Sequence, residues 1–135
     1  MPFIAEDLGL ITPEVRNLKN LFGFPGMKVF QFSPQITGAG DTNFVYYTGT
    51  HDNDTLVGWC RKQPQKYDYK VIMEEIYQSN AAWVIVPMQD ILGLDSEARM
   101  NIPGTVYGNW EWRLDKSLLT EEVGRWLSEM AQARP

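Results

Sequence analysis

The chain has 135 residues, of which 44% are hydrophobic and 13% are aromatic, and its formal net charge is -5. A chain of this length and composition can form one domain with a hydrophobic core, which excludes a disordered or fibrous protein. We predict a single domain over residues 1–135 that binds neither nucleic acid nor a membrane surface, because both partners require a basic surface.

The N-terminal third of the chain predicts a strand, a helix and a second strand. Residues 3–5 form a short apolar run that is typical of the end of a strand. Thr12 followed by Pro13 is typical of a helix start, and we predict that this helix ends at Gly23. The apolar run at 27–32 predicts the second strand. The predicted apolar face of the helix consists of Val15, Leu18, Leu21 and Phe22.

The middle of the chain is predicted to contain one strand and two helices. A loop rich in glycine and proline is expected at 33–42, and a β-prone run at 43–48 predicts the third strand. The loop is short for a helical crossover, so we expect it to join its two strands without a helix. One helix is predicted to begin at Asp54 or Thr55, and another is predicted over 68–79. The inner face of this second helix is predicted to consist of Val71, Ile72, Ile76 and Tyr77.

The C-terminal part is predicted to contain a fourth strand and a closing helix. The run at 82–88 is nearly all apolar, which is typical of a strand that is covered on both faces. One helical turn is expected at 90–94, a long loop at 95–108, and a helix over 120–131. Strands that alternate with helices in this way predict a parallel sheet. The inner face of the closing helix is predicted to consist of Val123, Trp126, Leu127 and Met130.

The chain has one cysteine, which forms no internal disulfide, so nothing indicates an oxidising compartment. Cys60 lies on an apolar helical stretch, and we interpret it as a packing residue rather than a nucleophile. We expect no signal peptide, because Glu6 and Asp7 interrupt the first apolar run. We also expect no membrane span, because no run approaches the ~20 apolar residues that a spanning helix requires. A cytoplasmic location is therefore predicted.

Acidic residues follow two of the predicted strands at their carboxyl ends. Glu6 and Asp7 follow the first strand, and Asp52 and Asp54 follow the third, beside His51, the only histidine. The carboxyl ends of parallel strands point the same way, so in a barrel these acids face one cavity. Two carboxylates in different environments can act as a general acid and as a stabiliser of positive charge. Glycoside chemistry requires such a division because its transition state is oxocarbenium-like.

The same pattern also has a structural interpretation. Acids that follow strands often cap the next helix, and a lone histidine is often a satisfied structural residue. We therefore predict that Asp54 caps the helix that follows it and that Asp7 is structural. Exposed aromatic residues near such a site are able to stack on sugar faces, and the sequence offers Tyr107, Trp110 and Trp112.

Six ordered sequence blocks make the interpretation more specific. They are IAEDLG at 4–9, FPGMKV at 24–29, YTGTHDNDT at 47–55, MQDILGL at 88–94, ARMNIPGT at 98–105 and GNWEWR at 108–113. Together they closely resemble the C-terminal part of the 4-alpha-glucanotransferases, also called amylomaltases or disproportionating enzymes, of the alpha-amylase clan. The resemblance covers nearly the whole chain.

The resemblance implies a fold, a reaction and roles for individual residues. The family fold is a (β/α)8 barrel, and this α/β chain is expected to form its C-terminal half, about strands 5–8. The family transfers segments of α-1,4-glucans between maltooligosaccharides by a retaining double displacement, without a cofactor or a metal ion. Glu6 matches the general acid/base, and Asp52 matches the acid that stabilises the transition state. The residues implied in substrate binding are His51, Arg99, Asn101 and Gly104.

The chain departs from the family pattern in two ways. The family nucleophile is an aspartate on the fourth strand, which would precede Met1, so we expect the isolated chain to be inactive. The stretch at 33–43 looks shorter than the family connection and lacks its usual Pro-His-Asn element. We expect a fragment that associates with the missing N-terminal half of the barrel or with itself, because a half-barrel leaves edges and an apolar face open. The alternative is a non-catalytic carbohydrate-binding module or a structural remnant without a ligand.

Overall fold

The computed structural model describes residues 3–35 and 42–135. Its sheet has three parallel strands in the order β1 (Gly26–Val29), β2 (Phe44–Tyr47) and β3 (Trp83–Ile85), with β2 in the centre. Gly26 pairs with Phe44 in the first ladder and Val45 pairs with Trp83 in the second. The predicted parallel sheet is therefore confirmed. Part of the predicted loop at 33–42 lies outside the described residues.

Five α-helices accompany the strands within the described residues. They are α1 (Pro13–Leu21), α2 (Leu56–Lys62), α3 (Tyr69–Tyr77), α4 (Met88–Ile91) and α5 (Glu121–Gln132). Single 3-10 turns occupy Phe30–Phe32, Ser96–Ala98 and Lys116–Leu118. Short polar side chains cap four of the α-helices at their N-termini, where the first backbone N–H groups have no partner inside the helix. The capping residues are Thr12, Thr55, Asp68 and Thr120.

The core lies between β2 and the helices α3 and α5. All of β2 up to Tyr46 is buried, which is typical of a central strand in a parallel sheet. Met130 of α5 is buried, and its three predicted partners on that helix pack against the core, which confirms the predicted inner face. On α3 the prediction was wrong at one position, since Val71 is 48% exposed and Met73 is fully buried in its place. The helix is rotated so that the 72–73 and 76–77 pairs point inward.

Three predicted strands are shorter than their apolar runs. The run at 3–5 forms no strand, and Ala5 N donates a hydrogen bond at 2.8 Å to the carbonyl oxygen of Pro25, the residue before β1. The second strand ends at Val29, because the chain then turns into the 3-10 helix Phe30–Phe32. The run at 82–88 forms a strand only over Trp83–Ile85. Pro87, two residues after the end of this strand, has no backbone N–H with which the ladder could continue.

Two apolar faces that were predicted to be buried are exposed in the structure. Strand β3 is not covered on both faces, since Trp83 is 49% and Ile85 is 44% exposed. Helix α1 has no buried residue, and its whole predicted apolar face is exposed. Of this face, Phe22 stacks on the ring of Phe24 at a centroid distance of 5.5 Å.

Candidate active site

The turn that follows β2 carries the candidate site, and a glycine fixes its path. A Cβ atom on Gly49 would lie 2.7 Å from the Gln31 side-chain nitrogen and 3.2 Å from the Asn53 Cβ. A side chain at this position would therefore displace the Gln31 amide. Gln31 Nε2 in turn donates to the carbonyl oxygen of Asp54 at 2.8 Å. The turn is thereby seated on the segment that follows β1.

The turn itself is closed by Asn53. Its Oδ1 accepts hydrogen bonds from the backbone N–H and the hydroxyl of Thr50, both at 2.8 Å, and its own N–H donates to Thr50 O at 3.1 Å. Asparagine favours such turns because its short side chain bonds to nearby backbone. The two residues at the tip, His51 and Asp52, therefore project outward, with side chains 57% and 48% exposed.

Four of the predicted site residues are brought together around this tip. Asn101 Nδ2 donates to Asp52 Oδ1 at 2.6 Å, and His51 Nε2 lies 3.3 Å from the same oxygen. Arg99 Nη2 donates to the Asp52 carbonyl oxygen at 2.6 Å, and Arg99 Nε donates to the Asn101 carbonyl oxygen at 2.7 Å. Arg99 thus links the 99–101 loop to the turn, and Asn101 orients the Asp52 carboxylate.

Gly104 lies apart from these four residues and has a different structural role. Its φ of 82° follows Pro103, and Thr105 N donates to Ile102 O at 3.2 Å, which is the arrangement of a type II turn. A Cβ atom on Gly104 would meet nothing within 4 Å. Asn109 closes this loop by accepting from Ile102 N at 2.8 Å. Gly104 therefore shapes the loop and does not line the cavities described next.

Glu6 and Asp52 line one cleft of about 920 Å³ at the carboxyl ends of the strands. His51 and Tyr47 line it as well, and β3 contributes Ile85. Within residues 3–35 and 42–135, no hydrogen bond or ion pair holds the Glu6 carboxylate. Of the two acids in the cleft, only Asp52 has a carboxylate that is held by a hydrogen bond from another described residue, Asn101.

A smaller pocket of about 240 Å³ adjoins the cleft on the other side of His51. Trp110, Met100 and Arg99 line it, and it shares Thr50 and His51 with the larger cleft. The rings of His51 and Trp110 lie 5.1 Å apart at an angle of 38°. Glu6 does not line this pocket, which therefore adds a second part to the candidate site, next to His51 and Trp110.

Comparison with known proteins identifies the family. The profile of the 4-alpha-glucanotransferases matches residues 1–120. The chain belongs to this family. The 4-alpha-glucanotransferase of Synechocystis sp. is 44% identical over 95% of the chain, which covers 29% of that protein. The chloroplastic/amyloplastic 4-alpha-glucanotransferase of Solanum tuberosum is 44% identical over 84% of the chain, which covers 24% of it.

A solved structure agrees with the sequence comparison. An amylomaltase from Streptococcus agalactiae, determined in complex with acarbose, superposes with a TM-score of 0.85 at 33% sequence identity. The match covers 96% of this chain and 31% of that one. The chain thus spans less than a third of the length of these relatives. The Synechocystis alignment runs over 151 positions, so that relative carries residues which the 135-residue chain lacks.

One residue that supports the site was not predicted as functional. Asp90 in α4 is 1% exposed and accepts from the Thr48 hydroxyl at 2.5 Å and from Leu56 N at 2.7 Å. It therefore ties the end of β2 to the start of α2, on the two sides of the His51–Asp52 turn. Burial raises the pKa of Asp90, and the two hydrogen bonds only partly oppose this. The sequence does carry a signal for this role, because Asp90 is a single acid within the largely apolar stretch 88–94.

The acid that was predicted to cap α2 has another role. Thr55 is the N-cap, whereas the Asp54 carboxylate pairs with Lys62 and accepts from Ser96 Oγ at 2.9 Å. The prediction for Asp54 was wrong because the chain extends by one further residue before the helix begins. Burial alone would raise the pKa of Asp54, but the hydrogen bonds from Lys62 and Ser96 outweigh it and hold the pKa below its usual value.

Asp7 joins α1 to β1, in agreement with its predicted structural role. Its carboxylate pairs with Lys19 Nζ at 2.7 Å and accepts from Met27 N at 2.7 Å. Partial burial alone would raise the pKa of Asp7, but these two bonds outweigh it and hold the pKa below its usual value. A Cβ on Gly26 would lie 2.4 Å from the same carboxylate, so a side chain there would displace Asp7.

Cys60 is a packing residue rather than a nucleophile. It packs against the core, and burial raises the pKa of its thiol to about 11. Reactive cysteines have lowered pKa values, so this thiol is inert at neutral pH. In the described part of the chain, no group of three His, Cys, Asp or Glu side chains is arranged to hold a metal ion. No helix found there is long and apolar enough to cross a membrane.

Proposed function

We propose that this chain supplies part of the active site of an enzyme that transfers α-1,4-glucan segments between maltooligosaccharides. In this proposal Glu6 is the general acid/base and Asp52 stabilises the positive charge of the transition state. The observation that carries the proposal is that both acids line one cleft, beside His51, in a chain of the 4-alpha-glucanotransferase family. The substrate-binding residues are His51, Arg99, Asn101 and, through the shape of its loop, Gly104.

The contacts of the two acids suit these roles. Asp52 must keep its carboxylate at a fixed distance from the sugar ring, and the 2.6 Å bond from Asn101 fixes its orientation. Glu6 must first donate a proton to the leaving oxygen and later accept one from the incoming hydroxyl group. A carboxyl group without a fixed partner can do both.

The proposal requires a third carboxylate from outside these 135 residues. A retaining mechanism needs a nucleophile about 5 Å from the acid/base. Asp7 and Asp54 are each engaged by a lysine and by further hydrogen bonds, so neither is free for that role. We propose that the isolated chain has no transfer activity and that the nucleophile belongs to the part of the relatives that the chain does not span.

We further propose that the chain forms the C-terminal half of a (β/α)8 barrel. The superposition on an amylomaltase supports this, as do the exposed faces of α1 and β3. No described strand pairs with the outer edge of β1 or β3, and open edges favour association. The partner is the N-terminal half of the barrel or, in its absence, a second copy. Sedimentation that shows only monomers at high concentration would contradict association of the isolated chain.

A chimera tests the catalytic roles. The chain replaces the matching segment of the Synechocystis relative, and release of glucose from maltotriose reports the activity. Glu6→Gln and Asp52→Asn should each lower turnover about a hundred- to ten-thousand-fold, since each removes a catalytic carboxylate. Glu75→Gln on the exposed face of α3 is the matched control and should keep full activity. Full activity in the Glu6 or Asp52 variant would refute that residue's role.

The isolated chain separates the alternatives. A non-catalytic carbohydrate-binding module retains the aromatic pocket and Asn101, so it would bind maltoheptaose in calorimetry without converting it. A structural remnant would do neither. Turnover by the isolated chain that disappears in Glu6→Gln would refute the need for a further carboxylate. The cytoplasmic location stays a prediction, and fractionation of the cells that produce the protein tests it.

A further inference from the structure

Trp110 has an unusual backbone conformation. Within residues 3–35 and 42–135 it is the only residue other than glycine with a positive φ, at 63°. A bulky L-residue is rare in this region because its Cβ atom crowds the following carbonyl oxygen, and the conformation costs free energy. Such strain persists only where the surrounding structure imposes it, and it clusters at functional sites.

Hydrogen bonds on both sides impose the conformation. Trp110 N donates to Met100 O at 2.7 Å, and Arg113 Nη1 donates to Trp110 O at 2.8 Å. The side chain of the preceding Asn109 donates to Thr105 Oγ1 at 2.9 Å and is thereby fixed as well. The loop is built so that this one residue must adopt the left-handed conformation.

The strain does not place the indole in the core. Trp110 remains 53% exposed, and the aromatic ring that it contacts is that of His51, itself at the tip of the catalytic turn. The ring therefore remains open to a ligand in the pocket that Trp110 and His51 line. Backbone strain at a partly exposed residue beside a pocket is typical of a functional site.

We propose that Trp110 is a stacking platform for one pyranose ring of the glucan, in the pocket beside His51. The inference rests on the proposed function, since it assigns a further subsite to the same cleft. Pockets for drug-sized ligands measure about 300–1,000 Å³, so the 240 Å³ pocket suits a single ring. It shares Thr50 and His51 with the larger cleft, so that one glucan chain can occupy both.

The chemistry of the pocket matches a sugar. Indole presents a wide apolar face, on which the C–H face of a pyranose ring packs. Arg99 and Gln89 also line the pocket, and their polar groups can bond to the hydroxyl groups at the rim of the ring. This combination of one apolar platform with polar groups around it is what a hydroxylated ring requires.

The first test measures binding by the full chain. Saturation-transfer NMR with maltotriose at millimolar concentration detects weak complexes. Trp110→Ala should weaken binding about tenfold, as loss of an aromatic anchor does, whereas Trp110→Phe should retain most of the affinity because it keeps a ring. Tyr107→Ala is the matched control: Tyr107 is 90% exposed on the same loop but lines neither the cleft nor the pocket, so its loss should not affect binding.

The second test measures the backbone strain and needs no ligand. Replacing alanine by glycine normally destabilises a protein, because glycine gains more freedom on unfolding. At position 110 the glycine variant should instead be more stable than the alanine variant, since glycine adopts a φ of 63° without strain. Trp110→Gly should therefore melt at a higher temperature than Trp110→Ala. Tyr107→Gly should melt below Tyr107→Ala, because the φ of Tyr107 is not positive.

The outcomes separate the platform from the proposed function. If Asn101→Ala loses binding and Trp110→Ala binds like the wild type, the platform is refuted and the proposed function stands. If Tyr107→Ala weakens binding as much as Trp110→Ala does, the effect belongs to the whole loop and the platform is also refuted. If the wild-type chain shows no saturation transfer at all, the platform is refuted for this chain, whereas activity of the chimera still decides the proposed function.

Discussion

Removal of the Asp90 carboxylate should destabilise the protein more than any other change at its site. Asp90, Thr48 and Leu56 are each at most 1% exposed, and Asp90 accepts hydrogen bonds from the other two. Asp90→Ala would leave both donors buried without an acceptor. Each unsatisfied buried group costs about 1–3 kcal/mol, so for two donors we expect the free energy of unfolding to fall by about 2–6 kcal/mol.

Asp90→Asn separates the loss of the acceptor from the loss of the charge. Its amide oxygen still accepts from Leu56 N, and the Thr48 hydroxyl can accept from the amide nitrogen, so the expected loss is about 1 kcal/mol or less. Urea unfolding followed by tryptophan fluorescence measures both variants. Hydrogen exchange at residues 49–55 should accelerate in Asp90→Ala alone. The reasoning is refuted if Asp90→Ala unfolds at the same urea concentration as the wild type.

The pH dependence of stability in the wild type and in Asp90→Asn gives a second measurement. Burial raises the pKa of Asp90 above its unfolded value of 3.8, so folding favours the protonated form. The contribution of the carboxyl group to stability is therefore fully present below pH 3.8 and is lost as the pH rises through the folded pKa. The stability of the wild type relative to Asp90→Asn should decline in that window. A constant difference would contradict a raised pKa.

Three further predictions concern the α2 region. A Cβ on Gly58 would lie 2.2 Å from Ser96 Oγ and 2.8 Å from Asp54 Oδ1, so Gly58→Ala should lower the unfolding midpoint in urea although alanine is the better helix former. The pKa of Asp54 is lowered from 3.8, so stability should fall as the pH drops from 3.8 through the folded value, and less so in Lys62→Met. The Cys60 thiol has a pKa of about 11, so at pH 8 it should react with iodoacetamide far more slowly in the native protein than in the protein unfolded in urea. Equal reaction rates in the two states would refute its burial.

Local features of the fold could be predicted from the sequence because their causes lie within a few residues. Thr12 and Thr120 were predicted as helix starts, and each accepts a hydrogen bond from the N–H three residues later. The inner face of α5 was predicted from periodicity and is confirmed. Strand lengths could not be predicted in this way, because a strand ends where its neighbours stop pairing. Apolar runs at 27–32 and 82–88 therefore overestimated β1 and β3.

The candidate site consists of residues that are neighbours in the sequence and of residues that are far apart in it. The turn at His51 and Asp52 was visible in the sequence as a polar segment after a β-prone run. The contact between Asn101 and Asp52 spans 49 positions, and no pattern of spacing predicts it. Resemblance to the family supplied Asn101, because it compares whole blocks rather than neighbours. It did not supply Asp90, whose bond to Thr48 spans 42 positions and whose role lies in holding the turn rather than in touching the substrate.

The proposed roles of the two acids follow from what holds each of them. Asp52 follows the central strand, and the 99–101 loop reaches it with two hydrogen bonds at 2.6 Å. Glu6 lies in an irregular segment that is tied to β1 through Asp7 and Met27, and in the described structure nothing bonds to its carboxylate. A residue that stabilises charge must stay in place throughout the reaction, whereas an acid/base must give up and regain a proton. The rigid position at Asp52 and the unpaired one at Glu6 therefore support the assigned division of labour, and an exchange of the two roles would require the opposite arrangement.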